Sequence, residues 1–436
     1  MVSCSGRVTS VSALSAEVDG LSGQVAIGDR LKLIARDGGQ ISAEIVGFRG
    51  GRARAQAFGD LNGLGVGAPA LIRLGSGSEP TTSQLRVGDG WLGRVVDPLG
   101  TPLDGLGSLG EGVACSVRAD PPQAAQRSRL GERVSLGVRA LDLFATCRSG
   151  QRLGLFAGSG VGKSTMMAMM AQQADCDVIV FALVGERGRE LREFIEDDLG
   201  PGGLARSAVI VATSDQPPLM RREAAYAAMT VAEYFRDQGK SVLLLMDSVT
   251  RFCLALREIG LAAGEPPATR GYPPSVFAEL PRLLERAGPG PDNGKAGHIT
   301  AIFTVLVEGD DHNEPVADAV RGILDGHVVL DRRIGERGRY PAVDVLRSLS
   351  RTVPGCLQAD ERVAVRRARE MLATQAELAD LVRLGAYQPG NDAAADEALE
   401  LAPQVEALLT QGRGEGSTLD DAFEKLKVIV GDGNGA

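Results

Sequence analysis

Short stretches of alternating hydrophobic and polar residues fill the first 75 positions of the chain. The alternation is clear in Arg30–Leu33, Ile41–Ile45 and Arg52–Ala57, and glycine-containing turns separate these stretches. Successive side chains of a strand point to opposite faces, so this pattern predicts strands with one buried face. Short strands at this spacing predict a small antiparallel β-barrel over residues 1–75, although an unrelated glycine-rich β-domain would show the same pattern.

A second pattern follows Leu74–Thr82, a stretch rich in Gly, Ser and Thr that has the composition of a linker. Gly93–Gly107 predicts a hairpin with Pro-Leu-Gly at its tip. From about residue 150 to 340, apolar runs alternate with helical patterns such as Arg222–Gln238 and Pro274–Arg286. Such alternation predicts a mostly parallel sheet covered by helices on both faces. The predicted strands are Leu153–Ala157, Val178–Val184, Ala208–Ala212, Val242–Met246, Ile299–Val305 and Gly326–Leu330.

The last part of the chain is rich in Ala, Leu, Glu and Arg at helical spacing, over Asp360–Leu384 and Asp396–Val430. This spacing predicts a helical C-terminal domain. The predicted fold class is therefore α/β with three parts. These are a barrel over residues 1–75, a central domain with a mostly parallel sheet over 76–355, and helices over 356–436.

Length and composition agree with several soluble domains. The chain has 436 residues, of which 44% are hydrophobic and 24% charged, and no run is long enough to span a membrane. Its net charge of −9 argues against binding nucleic acid over a broad surface. The three histidines lack the spacing of metal ligands. The six cysteines form no C-x-x-C pair, which favours reduced thiols, at positions 4, 115, 147, 176, 253 and 356.

One stretch of the central domain carries recognisable chemistry, the loop AGSGVGKS at Ala157–Ser164 between an apolar strand and a helical run. A glycine loop followed by Lys-Ser at a helix start is the phosphate-binding loop of P-loop nucleotidases. Ala157 replaces the usual first glycine, which is tolerable if its φ is negative; the alternative is a glycine-rich turn without a ligand. The predicted ATP contacts are Ala157, Gly158, Ser159, Gly160, Val161, Gly162, Lys163, Ser164 and Thr165.

Two carboxylates follow apolar strands and are predicted to lie at the same sheet edge as the loop. Asp247 ends Ser241–Met246, and with the Ser164 hydroxyl it is the predicted Mg²⁺ site. Glu186 follows Val178–Val184 and is the candidate for polarising the attacking water, with Arg187 placed to contact the γ-phosphate. Each carboxylate also has an alternative, purely structural role. Asp247 would cap the turn that follows it, and Glu186 would form a surface ion pair with Arg187.

Longer segments of the sequence resemble the catalytic subunits of rotary-type ATPases. Among these, the sequence of the segments resembles the ATPases of the type III protein-export apparatus, and most of all the flagellum-specific export ATPases. The resemblance runs from about residue 20 to the end. The segments that carry it are GQRLGLFAGSGVGKS, VGERGRE, LLLMDSVTR, GYPPSVFAELPRLLERAG, VEGDDHNEPVADAVRGILDGHVVLDRR and GRYPAVDVLRSLSR.

The resemblance implies a fold, an assembly and partners. The expected fold is a β-barrel, a RecA-like P-loop ATPase domain and a helical domain, in a homohexamer with ATP and Mg²⁺ at the subunit interfaces. The implied partners are a stator-like regulatory protein, an axial coiled-coil stalk subunit, and export substrates with their chaperones. The implied location is cytoplasmic, peripheral to the export apparatus of the inner membrane. Family members often begin with an amphipathic helix, which Met1–Val11 does not show.

The resemblance also implies roles for residues that composition and spacing would not single out. Tyr340 matches the residue that stacks on adenine, and Tyr387 is expected to line the adenine pocket from the helical domain. Arg351 matches the arginine finger that acts on ATP bound by the neighbouring subunit. Glu186 matches the catalytic carboxylate.

Three other functions are open to this sequence. A virulence-associated type III secretion ATPase would have nearly the same motifs. An RNA-dependent ring helicase shares the barrel, the loop and the arginine finger, but needs basic and aromatic residues in its barrel. Here the barrel offers Phe48 and Phe58 with some arginines in an acidic protein, so no nucleic acid partner is expected. A non-catalytic ring subunit would lack a carboxylate at Glu186.

Overall fold

The computed structural model describes residues 2–21, 23–74, 84–292, 297–307 and 314–431. Most of the predicted linker, residues 75–82, therefore lies outside the described residues. A closed antiparallel barrel comes first, in the strand order β1-β2-β5-β4-β3-β6, which confirms the predicted barrel. Its strands are β1 Val2–Val11, β2 Ser15–Asp19, β3 Arg30–Ile34, β4 Gln40–Arg49, β5 Arg52–Ala57 and β6 Pro69–Leu74.

The barrel closes over alternate side chains, as the polar–apolar pattern of its strands requires. Val18, Leu33, Ile45 and Ala55 are all fully buried, and the residues beside them are more exposed. The free edges of an open sheet are absent because β6 pairs with both β1 and β3.

The central domain is built on a nine-stranded sheet in the order β19-β18-β12-β17-β15-β13-β14-β8, with β16 paired to β17. All of the strands predicted between residues 150 and 340 are confirmed. Two further pairs, β7 with β9 and β10 with β11, lie outside this sheet. The ranges are β7 Gln84–Val87, β8 Arg94–Val96, β9 Val113–Ser116, β10 Arg133–Val134, β11 Cys147–Arg148, β12 Arg152–Ala157, β13 Val178–Glu186, β14 Ser207–Thr213, β15 Ser241–Asp247, β16 Gly288–Pro289, β17 His298–Leu306, β18 Gly326–Leu330 and β19 Val343–Ser350.

The predicted hairpin over residues 93–107 is present around its turn. Asp97 donates its N–H to the Thr101 carbonyl, Leu103 donates its N–H to the Val95 carbonyl, and Val96 and Pro102 form an antiparallel bridge. The sequence did not predict that β8 also pairs in parallel with β14 and extends the large sheet. Val96 is fully buried, and pairing with β14 covers the backbone of β8.

Helices cover both faces of the sheet. Along β13, Ile179 and Phe181 pack in the hydrophobic cluster of α2, whereas Val178 and Val180 pack in the cluster of α5 and α6. The ranges are α1 Arg139–Phe144, α2 Lys163–Gln173, α3 Gly188–Glu193, α4 Gly200–Ala205, α5 Pro218–Asp237, α6 Val249–Ala263, α7 Pro274–Leu284, α8 Pro315–Ile323, α9 Arg332–Glu336, α10 Ala359–Arg383, α11 Ala393–Leu409 and α12 Leu419–Val430. A short π-helix, Phe194–Leu199, connects α3 to α4.

The C-terminal part is helical, as predicted, and two helices, α11 and α12, account for most of Asp396–Val430. The glycines of residues 410–418 interrupt the helical pattern between α11 and α12. Val405, Leu409 and Phe423 belong to the same hydrophobic cluster as α1, and both helices pack against α1 and α10. Among the helices that the structure describes, none has the length and apolar character needed to cross a bilayer.

Candidate active site

The loop between β12 and α2 has the shape that its sequence predicts. Gly160 and Gly162 adopt φ angles of +75° and +94°, and Gly162 caps α2 in the left-handed conformation. A side chain at either position would be strained, whereas Ala157 ends a strand and needs no such backbone. The consecutive methionines of α2 are buried and anchor the helix, while Ser164 in its first turn is exposed. Free N–H groups at this helix start make the loop suited to an anion.

A lysine and two carboxylates meet beside the loop. The Lys163 ammonium nitrogen lies 2.5 Å from Asp247 Oδ1 and 3.8 Å from Glu186 Oε1. Strands β13 and β15 are paired in parallel, with Leu183 opposite Asp247, so both carboxylates come from the carboxyl ends of neighbouring strands. Asp247 is 2% exposed and also accepts a hydrogen bond of 2.7 Å from the Thr304 hydroxyl. The structure thus brings together Lys163, Glu186 and Asp247, three of the residues that the sequence singles out.

The charges of this cluster shift its acidities. Burial lowers the pKa of Lys163, but the negative charges of Asp247 and Glu186 outweigh it and hold the pKa above its ordinary value. For Glu186, burial is the largest cause of a raised pKa, and the charge of Asp247 adds to it. Lys163 and Arg251 oppose that rise. A carboxylate whose pKa is raised is a better proton acceptor than an ordinary glutamate.

Two members of this cluster were missed by sequence reasoning. Arg251, one turn into α6 from Asp247, has its Nε 3.5 Å from Glu186 Oε1. Gly185 makes room for it, because a Cβ there would lie 2.8 Å from Cδ of Arg251. The LLLMDSVTR segment did contain Arg251, as the one basic residue just after Asp247. Thr304 lies inside an apolar strand and carried no signal.

Two predicted arginines lie at the surface. Arg187 does not pair with Glu186; its guanidinium lies 3.3 Å from Glu190, and its side chain is 67% exposed. Arg351 follows β19, is exposed, and donates its backbone N–H to the Asp325 carbonyl at 2.9 Å. Within the described part of the chain, the Arg351 guanidinium makes no hydrogen bond or ion pair. Its charge is therefore available to another molecule.

The two predicted tyrosines are in different places. Tyr340 is 50% exposed, and a side chain at Gly162 would meet its ring at 3.7 Å, so the ring borders the loop. The Tyr340 carbonyl accepts from the Gln411 N–H just after α11. The Tyr387 hydroxyl instead donates to Asp396 at the start of α11, 2.7 Å away. At 1.5 Å per residue, α11 separates the two ends by roughly 20 Å, so Tyr387 is not brought to the loop.

Three family models together match most of the chain. Residues 1–71 match the β-barrel domain and residues 137–350 the nucleotide-binding domain of the ATP synthase alpha/beta family. Residues 357–428 match the C-terminal domain of the type III secretion ATPase EscN. The flagellum-specific ATP synthases of Caulobacter vibrioides and Bacillus subtilis are 51% and 48% identical, each over 98% of this chain and 95% of theirs. The chain belongs to the family of flagellar and type III secretion ATPases.

Relatives from both branches of this family are similar over their full length. The type 3 secretion system ATPase of Xanthomonas euvesicatoria is 45% identical over 98% of this chain and 94% of its own. The assembled ATPase EscN of the enteropathogenic E. coli type III secretion system superposes with a TM-score of 0.88 and 38% identity, covering 98% of this chain and all of that one. As a member of this family, the chain is an ATPase with the predicted barrel, nucleotide-binding and helical parts.

Proposed function

We propose that this ATPase energises type III protein export, and that the exported proteins are flagellar components. The observation that carries the proposal is the Lys163–Asp247–Glu186 cluster, set beside a phosphate loop in a chain 51% identical to a flagellum-specific ATP synthase. The 45% identity to a type 3 secretion system ATPase favours a second candidate, the export of virulence proteins by the same chemistry.

ATP binds, in this proposal, with its phosphates in the loop. The loop N–H groups and the start of α2 bind phosphate oxygens, and Lys163 exchanges part of its contact with Asp247 for the β- and γ-phosphates. Tyr340 supplies a flat face for adenine beside Gly162. The Arg187 side chain is 67% exposed. We assign it to the γ-phosphate side of the site.

The oxygens present fit Mg²⁺, which prefers hard oxygen ligands and keeps several waters. Ser164 would offer its exposed hydroxyl and Asp247 its buried carboxylate. When bound, Mg²⁺ neutralises charge on the β- and γ-phosphates. Glu186 is assigned the role of orienting the attacking water and accepting its proton, for which its raised pKa suits it.

Arg351 completes the site of a neighbouring subunit. Its exposed guanidinium is unbound within the described part of this chain, as an arginine finger acting on another subunit requires. The solved EscN relatives are described as an assembled ATPase and as a complex with the central stalk EscO, which supports a homohexamer around a stalk subunit. A stator-like regulator, export substrates and their chaperones are proposed as further partners, at the cytoplasmic side of the export apparatus.

The RNA-dependent helicase gains no support from the barrel. Phe58 is 7% exposed beneath the Arg30 guanidinium, so Phe48 alone among the barrel's phenylalanines is open to stack on a base.

Export can be tested in a strain that lacks this gene. Expression of the wild-type chain should restore flagellar proteins to the medium, and chains carrying Lys163→Ala or Glu186→Gln should not. Glu190→Gln is the matched control, an exposed glutamate in the same segment. Restored export of needle components but not of flagellar proteins would favour the virulence system. Restored flagellar export by Glu186→Gln would contradict the proposal.

A further inference from the structure

A buried amide lies between the strand that leads into the phosphate loop and the segment that bears Arg351. Gln151 immediately precedes β12 and is fully buried. Its Nε2 donates to the Ser350 hydroxyl at 2.8 Å and to the Asp325 carbonyl at 3.2 Å. Its Oε1 accepts from the Arg148 N–H at 2.9 Å and lies 3.1 Å from the Thr352 hydroxyl. The side chain thus makes as many hydrogen bonds as a glutamine amide allows.

Three of those four partners adjoin Arg351. Ser350 and Thr352 precede and follow it, and the Asp325 carbonyl also accepts the N–H of Arg351 itself, at 2.9 Å. The Ser350 and Thr352 hydroxyls lie 2.9 Å apart and both reach the Thr146 carbonyl. The backbone on each side of Arg351 is therefore held by one buried network, whereas its guanidinium is held by none of the described residues.

We propose that Gln151 is a positioning residue for Arg351. It fixes the Arg351 backbone to the start of β12, so the strand that carries a subunit's own loop and the arginine that serves its neighbour's ATP keep one relative geometry. The inference rests on the proposed role of Arg351 in trans. A guanidinium on a long flexible side chain stabilises a transition state only if its backbone is well placed, and a displacement of about 1 Å can cost about 10²-fold in rate.

A merely structural role makes a different prediction. If Gln151 only supported the fold of its own subunit, Gln151→Ala would damage the loop next to it, and the subunit's own ATP site would fail. If Gln151 positions Arg351, the variant's own loop, Lys163 and Glu186 remain intact. The failing site is then the one in the neighbouring subunit.

Mixed rings separate these cases. Gln151→Ala and Glu186→Gln proteins are each assayed alone and then mixed before ring assembly, with Arg351→Ala plus Glu186→Gln as the reference mixture. Alone, Gln151→Ala should bind ATP normally and lose at least about tenfold in kcat. In the mixture, an intact Arg351 from a Glu186→Gln subunit should restore hydrolysis at Gln151→Ala sites, to about a quarter of the wild-type rate, because one ordered pair of neighbours in four is productive.

Recovery of ATP hydrolysis in both mixtures supports the inference. Recovery only in the Arg351→Ala mixture overturns it and leaves the proposed function standing. Recovery in neither contradicts the trans role of Arg351, and the inference falls with it. Wild-type kcat in Gln151→Ala alone would also overturn it.

If Gln151→Ala folds poorly, variants of the residues that hydrogen-bond to Gln151 provide the same test. Ser350→Ala with Thr352→Val removes two of the four Gln151 hydrogen bonds, those to the residues on either side of Arg351, and should give the same recovery with Glu186→Gln. Ser348→Ala is the matched control, since this buried hydroxyl lies on the same strand but bonds Val329 and Asp344 instead. It should keep wild-type kcat; a loss equal to that of the double variant would assign the effect to general damage of β19.

Discussion

Asp247 holds the Lys163 ammonium at 2.5 Å, across a sequence separation of 84 residues. Asp247 is nearly inaccessible to solvent; this lysine balances its charge, and the Thr304 hydroxyl donates a further hydrogen bond to it. The same lysine is the group that P-loop enzymes use on the β- and γ-phosphates. One cation therefore serves the buried carboxylate and the nucleotide in turn.

Lys163→Ala should abolish ATP hydrolysis and weaken nucleotide binding, because the loop loses the ammonium group that contacts the β- and γ-phosphates. It should also lower the melting temperature, since Asp247 keeps a buried charge without its counter-ion. Phosphate release, nucleotide titration and thermal unfolding test these effects. Lys425→Ala, at an exposed position, is the control and should match the wild type. Hydrolysis at the wild-type rate by Lys163→Ala would contradict the assignment.

Glu186→Gln should lower kcat by about 10²–10⁴, the usual contribution of a positioned general base, and leave ATP affinity nearly unchanged. The amide keeps the shape of the carboxylate but cannot accept the proton. Single-turnover hydrolysis with a separate binding titration distinguishes the two effects. Loss of affinity with intact kcat would move Glu186 from catalysis to binding.

The pH profile should carry the signature of Glu186. Burial and the charge of Asp247 raise its pKa, so its protonated form persists to higher pH than in an ordinary glutamate. Hydrolysis needs the deprotonated form, so kcat/KM should fall on acidification, with an inflection at higher pH than an ordinary glutamate would give. Arg251→Gln removes a charge that lowers this pKa, and its inflection should move to higher pH. An inflection unchanged in Arg251→Gln would contradict the electrostatic account.

The barrel is attached to the central domain through buried charges. Arg222 of α5 lies 2.6 Å from Glu44 of the barrel, and Glu223 lies 2.5 Å from Arg30 of the barrel. Glu223→Ala leaves both arginines short of a counter-charge and should cost about 3–5 kcal/mol in the free energy of unfolding. Denaturant unfolding measures this, with the half-exposed pair partner Glu258→Ala as the control. Exposed ion pairs typically contribute about 0–1 kcal/mol. A loss of unfolding free energy within that range would show that the cluster does not stabilise the attachment.

The sequence predicted those parts of the site that local pattern determines. The loop is a contiguous motif, and Glu186 and Asp247 each end an apolar run, so parallel pairing places them at one edge. Six strands of the central sheet followed from such runs, whereas β16 and β19 were not predicted. Arg251 was within reach of this reasoning, because it lies four residues beyond Asp247 on the helix that follows.

Contacts between distant segments could not be predicted in the same way. Thr304 reaches Asp247 only because of the register of β15 and β17. Gln151 meets Ser350 across 199 residues. The parallel pairing of β8 with β14 was missed for a related reason, since no local signal reveals the edge of β14. Tyr387 was assigned by resemblance, and the length of α11 places it elsewhere.

The measurement that tests the central claim most directly is the rate of ATP hydrolysis per subunit as a function of protein concentration, with mass determined in parallel. An active site completed by a neighbour's Arg351 predicts a rate per subunit that rises as rings assemble, and an Arg351→Ala protein that stays inactive at every concentration. A concentration-independent rate in protein shown to be monomeric would contradict the shared site.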